Sequence, residues 1–226
     1  MNWSLRDLNN IRSLIMKYDL HSHSKYSSDG ILDPQKMVKV AKKRGLSGIA
    51  VTDHNTIKGG LEAKKYETND FKVIVGCEVM TTRGEIIGLF LSEEIQSNDF
   101  HEVIEEIKGQ NGIVVVPHPF DKMRSSSFNI QKEDTKYINN IEILNSRCLS
   151  EKYNHAAETF ARSNSLGVTG GSDAHFANEI GHAGIIVETE DVKGAILKND
   201  LKVFGKTSTN LNHVFTKVLK LWRKHF

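Results

Sequence analysis

A chain of 226 residues with 38% hydrophobic content and three prolines can bury one sizeable core. Cys77 and Cys148 are too few and too far apart for a disulfide scaffold or a CxxC metal site. There is no signal-peptide core and no apolar run near the roughly 20 residues that span a bilayer, so the expectation is a cytoplasmic protein without stable membrane insertion. A formal net charge of +2 with 26% charged residues selects neither for nor against nucleotide or protein partners.

The apolar run at 14–20 reads as a buried strand and leads into His21 and His23, which alternation places on one face. Asp33 and Pro34 open a helix over 34–44, with Met37, Val38 and Ala41 on its inner face and Gly45 closing it. The strand 49–52 runs into Asp53 and His54, and a helix follows over 58–68. The strand 72–76 runs into Cys77 and Glu78, and a helix follows over 99–109. The strand 113–116 leads to His118 between Pro117 and Pro119, and 141–144 leads to Asn145 and Arg147. After a helix over 150–164, the strand 166–169 opens onto Gly170-Gly171-Ser172-Asp173-Ala174-His175, and a last helix follows over 191–199. Residues 201–226 contain no acidic side chain, and Val214, Val218, Leu221 and Trp222 recur at helical spacing. A basic amphipathic C-terminal helix is therefore expected over about 208–226, outside a barrel of about 15–200, all within a single domain.

An ionisable or polar group follows the strand each time. Repeated strand-then-helix units favour an α/β fold with parallel strands, and polar groups gathered at strand ends favour a barrel with one functional rim. Imidazoles and carboxylates meeting there would hold divalent cations, which points to a metal-dependent hydrolase. Asp53 faces away from the adjoining His54 by alternation, and Asp19 and Asp53 are expected to orient imidazole N–H groups. Asn145 and Arg147 follow a strand, and an arginine fork suits a phosphate dianion, so they are candidates for substrate binding.

Four segments, DLHSHSKYSSDG, VTDHNT, VPHPF and GSDAH, occur in the order found in the PHP family, the phosphoesterases named after polymerase and histidinol phosphatase, and the chain resembles that family from about Tyr18 to Val187. The resemblance implies a distorted (βα)7 barrel with two or three divalent ions, Mn, Fe or Zn. It implies one metal on His21, His23, Glu78 and Asp173, a second sharing Glu78 and taking His118, and a third on Asp29, His54 and His175. Where many members place a histidine, this chain has Glu85, which is expected to replace that imidazole. His175, with Asp29, is the candidate for passing a proton to the leaving oxygen.

The activity implied is hydrolysis of a phosphate ester by metal-activated hydroxide, on a phosphorylated small molecule, a nucleotide or an oligonucleotide end, in an open cleft. Two other classes stay open. One is a metal-dependent amidohydrolase or deaminase, since HxH at a strand end also opens that barrel; the other is a noncatalytic scaffold in which the metals are structural.

Overall fold

The computed structural model describes residues 15–207 and Thr216; the C-terminal helix expected over 208–226 falls otherwise outside the described residues. Nine strands among the described residues form a nearly closed barrel in the order β7-β6-β5-β4-β3-β2-β1-β8-β9. They are β1 Met16–Asp19, β2 Gly48–Val51, β3 Lys72–Thr81, β4 Gly84–Leu89, β5 Ile113–Val116, β6 Asn140–Asn145, β7 Gly167–Gly171, β8 Ala183–Val187 and β9 Lys202–Gly205.

Five α-helices intervene: α1 Pro34–Lys43, α2 Lys58–Lys64, α3 Phe100–Gly109, α4 Glu151–Ser163 and α5 Val192–Lys198. Asp33 and Asp99 cap α1 and α3 by accepting N–H groups of the first turn, which fixes where each helix begins. Helix α2 ends earlier than the expected 68, because Thr68 and Phe71 exchange backbone hydrogen bonds and turn the chain into β3.

The barrel departs from a pure parallel (βα)7 arrangement at two places. Strands β3 and β4 form an antiparallel hairpin with Thr81 opposite Gly84, and β4 is antiparallel to β5 as well. Strand β8 runs antiparallel to both β1 and β9. For β3 and β4 the physical reason is connection length: two residues join them, too few for the crossover that parallel neighbours need. At the tip, Gly84 has φ of 122°, and the Thr81 hydroxyl donates to its carbonyl at 2.6 Å.

Helices α1 and α2 cover one flank, where Met37, Val38, Ala41 and Ala63 meet Ile49, Val51 and Val73. Helices α3 and α4 cover another, with Val103, Ile107, Ala157 and Ala161 against Cys77, Val79, Val114 and Val116. A third cluster uses the opposite strand faces, including Ala50, Ile74, Ile87, Val115 and Ile185, together with Val192 and Ile196 of α5. Ile74 shares a face of β3 with Glu78, so this inner cluster lies beneath the polar end. The seam closes beyond β1 and β7, where Asp173 N–H donates to the His21 carbonyl and His23 N–H to the Ala174 carbonyl, each at 2.8 Å.

Candidate metal centre and active site

Ionisable side chains gather where β1, β2, β5 and β7 end, joined by Glu78 near the end of β3 and Glu85 at the start of β4. The hairpin explains how Glu85 arrives: a reversed strand brings its beginning to the rim where the parallel strands finish, and Glu85 pairs with Met80, two residues beyond Glu78. His118 and Asp173 have φ of 29° and 55°, left-handed conformations that non-glycine residues seldom adopt and that aim these side chains inward.

Four overlapping sets of donors result: His23, Asp29, His54 and His175; His21, Glu78 and His118; His21, His23 and Asp173; and His54, Glu78 and Glu85. Within each set the donor atoms lie within 4.8 Å of one another. Glu78 is the hub, with Oε1 3.0 Å from His118 Nε2 and Oε2 3.2 Å from His54 Nδ1 and 3.3 Å from His23 Nε2. Glu85 sits 3.6 Å from His118 Nε2 and 3.8 Å from His54 Nδ1. Asp29 lies between His54 Nε2 at 3.2 Å and His175 Nε2 at 3.0 Å.

The proton inventory shows that these donors fit cations. His21 Nδ1 is 3.1 Å from the Glu142 carboxylate, an acceptor that keeps a proton on Nδ1 and leaves Nε2 as the atom that takes a cation or a second proton. That Nε2 faces His23 Nε2 at 3.1 Å, with Asp173 Oδ1 3.4 Å from the latter. Asp173 Oδ1 is buried with no hydrogen-bond partner. His175 Nδ1 donates to the Asp173 carbonyl at 2.8 Å, so its Nε2 lone pair points at Asp29. Buried lone pairs facing one another repel unless a proton or a cation lies between them.

Charges respond accordingly. Burial alone would lower the basicity of His21, but Glu142, Asp173 and Glu78 raise it well above the ordinary imidazole value. His23 is pushed down to about 3 by burial and by the neighbouring His175. Burial opposes ionisation of Glu78, yet His21 and His54 hold it well below the usual carboxylate range. Glu85 moves the other way, raised by burial and by the charge of Glu78.

Asp19 and Asp53 are buried, but their hydrogen bonds correct the expected role. Asp19 accepts from Ser172 N–H at 2.9 Å and from Gly181 N–H at 2.7 Å, and Asp53 accepts from the Ser24 N–H at 2.6 Å and hydroxyl at 2.7 Å. They brace the loops that carry the ligands, whereas the carboxylate on an imidazole is Glu142. Its second oxygen accepts the His118 N–H at 2.9 Å and the Asn145 amide at 2.9 Å. Asn145 also donates to Asp173 at 3.2 Å, so its amide hydrogens are directed to carboxylates. An acid inside the apolar run Ile141-Glu142-Ile143-Leu144 is the signal that sequence reasoning passed over.

Arg147 lines the cleft above the donors, but its guanidinium is buried and bonded to Glu179 at 3.2 Å and to the Thr216 hydroxyl at 2.9 Å. Arg124, on the loop after β5, was not anticipated. It reaches Asp173 Oδ2 at 2.6 Å and Asp121 at 3.2 Å and lines the same cleft, whose volume is about 290 Å³.

Cys77 and Cys148 are buried, and that burial pushes both thiols well above their usual range, against the thiolate form. Among the described residues no helix is long and apolar enough to cross a membrane.

Two proteins of Methanocaldococcus jannaschii are similar to this chain. One is 48% identical over 117 residues, 46% of this chain and 68% of that protein; the other is 36% identical over 174 residues, 74% and 69%. A 5′-3′ exoribonuclease of Haemophilus influenzae is 41% identical over 78 residues, 32% of this chain and 28% of that protein. A two-domain protein of Bacteroides vulgatus containing a predicted PHP-like metal-dependent phosphoesterase superposes with a TM-score of 0.71 at 20% identity, covering 85% of this chain and 65% of its own. Endonuclease Q, solved with a 27-mer duplex bearing an abasic lesion at the active site, superposes with a TM-score of 0.61 at 20% identity, covering 79% and 54%. The model of the PHP domain matches residues 19–211, and the chain belongs to that family.

Proposed function

We propose that this protein is a metal-dependent phosphoesterase that hydrolyses a phosphomonoester, nucleotide or nucleic-acid end. The observation that carries this reading is the buried convergence of His21, His23 and Asp173 in one donor set, with Glu78 Oε2 3.5 Å from His21 Nε2 and 3.3 Å from His23 Nε2. The similarity to an exoribonuclease over about a third of the chain supports a substrate of the nucleic-acid class.

One ion would be held by His21, His23, Glu78 and Asp173, a second by Glu78, His118 and Glu85, and a third by Asp29, His54 and His175. The mixed imidazole and carboxylate donors suit Mn²⁺, Fe²⁺ or Zn²⁺. Such ions supply hydroxide at neutral pH and offset charge on phosphoryl oxygens.

The chain's own groups do the rest. Glu142 keeps the His21 lone pair inward, and Asn145 fixes the Glu142 and Asp173 carboxylates. Arg124 lines the cleft, and the N–H groups it does not spend on Asp121, Asp173 and Asn145 would meet an anionic ester there. With the third site unfilled, His175 Nε2 and Asp29, 3.0 Å apart at the cleft lining, would be the pair placed to pass a proton to a leaving oxygen.

The test is phosphate release by chelator-stripped protein reloaded with Mn²⁺, Fe²⁺ or Zn²⁺. Activity should return with metal and vanish in His23→Ala and Asp173→Ala. Full turnover in either variant would defeat the reading, and release of ammonia rather than phosphate would favour the amidohydrolase alternative.

A further inference from the structure

Residues 175–179 form a closed turn. Glu179 N–H donates to the Phe176 carbonyl at 3.0 Å, and the Glu179 carboxylate turns back so that its Oε2 accepts the His175 N–H at 2.9 Å and the Phe176 N–H at 3.0 Å. Arg147 Nη1, two residues beyond β6, donates to the same oxygen at 3.2 Å, and both side chains are buried. A buried carboxylate needs a counter-charge, and Arg147 supplies it. The guanidinium does more than that, because Arg147 Nη2 donates to the hydroxyl of Thr216 at 2.9 Å, 69 residues onward, and Arg147, His175 and Thr216 all line the cleft. One planar fork thus joins the carboxylate that holds the His175 backbone to a hydroxyl near the end of the chain.

We infer that Arg147 is a positioning residue for His175: through Glu179 it holds the backbone that presents the His175 ring to the third ion, and Thr216 holds Arg147 in turn, which makes residue 216 part of the metal centre. This rests on the reading of His175 as a ligand of that ion and adds the residues that place it. The ring is already tied to its own backbone, since Nδ1 donates to the Asp173 carbonyl at 2.8 Å, so the direction of Nε2 follows the turn that Glu179 closes. Metal–ligand distances hold to about 0.2 Å, so a small shift of that turn, moving Nε2 from its place 3.0 Å from Asp29, is enough to weaken the site. An arginine suits the task where a lysine does not, because its fixed fork meets two partners at once, whereas an ammonium is a single point of charge.

The experiment loads the full chain with Mn²⁺ and measures the bound ions per chain and the affinity of the ion that His175→Ala removes. Arg147→Lys keeps a cation beside Glu179 and gives up the fork, and Thr216→Val keeps the shape and gives up the hydroxyl. Each should weaken that one ion about tenfold and leave the others in place, with Thr216→Ser retaining wild-type affinity. The double variant should lose no more than the greater single loss, because both changes act through one chain of contacts. In the metal-free protein, amide exchange at His175 and Phe176 should be faster in both single variants. Unchanged affinity or unchanged exchange in either single variant overturns the inference. So do losses that multiply in the double variant, or that fall equally on every ion with a lowered Tm, which is a general packing defect. Should Arg147→Lys not fold, Thr216→Val against Thr216→Ser carries the test. If His175→Ala binds as many ions as wild type, the third-ion reading fails instead, and exchange at His175 and Phe176 still tests the link through Arg147.

Discussion

Glu142 lies 3.1 Å from His21 Nδ1 and through its other oxygen accepts the His118 N–H at 2.9 Å, so one carboxylate on β6 sets ligands delivered by β1 and β5. Replacing Glu142 by Gln removes the charge that favours the Nδ1–H tautomer of His21 while keeping the shape. Metal affinity measured by equilibrium dialysis should drop about 10- to 100-fold. Unaltered affinity would mean that Glu142 serves packing alone.

Removing metal should destabilise the protein, because the donors repel when nothing lies between them. A cation at about 100 times its dissociation constant adds about 2.7 kcal/mol. For a domain of this length that corresponds to about 5–10 °C in Tm. Calorimetric scans with and without chelator check this, and coincident melting curves would contradict a folded-state metal centre.

Glu85 tests the second ion. Its carboxyl is raised by burial and by the charge of Glu78, an arrangement that a shared cation relieves. Elemental analysis should find one fewer ion in Glu85→Ala than in wild type, and the full complement in Glu85→His. Equal stoichiometry in Glu85→Ala would assign Glu85 to orienting His54.

Metal uptake should depend on pH through His54, which is raised to about 9 in the metal-free protein. Burial alone would lower it, but Glu78, Asp29 and Glu85 outweigh that. At pH 7 the ring carries a proton that an incoming cation must displace, so affinity should climb between pH 6.5 and 9 with proton release visible by calorimetry in buffers of different ionisation enthalpy. The stability sign is opposite: the raised value favours the metal-free fold fully below pH 6.5, and that contribution fades as pH rises through about 9. A flat affinity profile over this range would rule out His54 as a ligand.

Thiol reagents at neutral pH should leave the folded protein unlabelled, because burial raises both Cys77 and Cys148. Labelling followed by mass spectrometry should detect both thiols only after denaturation. Rapid native labelling of Cys77 would contradict its place in the core under α3.

Much of this was readable from the chain because strand ends announce themselves. Apolar runs stopping at His21, His54, His118 and Asp173 gave both the sheet direction and the gathering point. The β3–β4 hairpin was harder, since Gly84–Leu89 is a short apolar run whose partner and direction depend on a two-residue turn rather than on periodicity. Arg124 was hidden for another reason: its position is set by the path of the loop after β5, and no local pattern encodes that path. Arg147 reads as a phosphate fork in the sequence, but Glu179, 32 residues onward, lies beside its guanidinium.

The hairpin also has a consequence for the order in which the site comes into being. Glu78 and Glu85 are seven residues apart, and their approach requires only one tight turn and correct register, whereas His21 and Asp173 meet across 152 positions. Local closure is the faster event. A nascent or partly unfolded chain would therefore bring two carboxylates together before any imidazole from β1 arrived, and a one-residue slip in that hairpin would turn Glu85 to the opposite face before the circle of strands had closed.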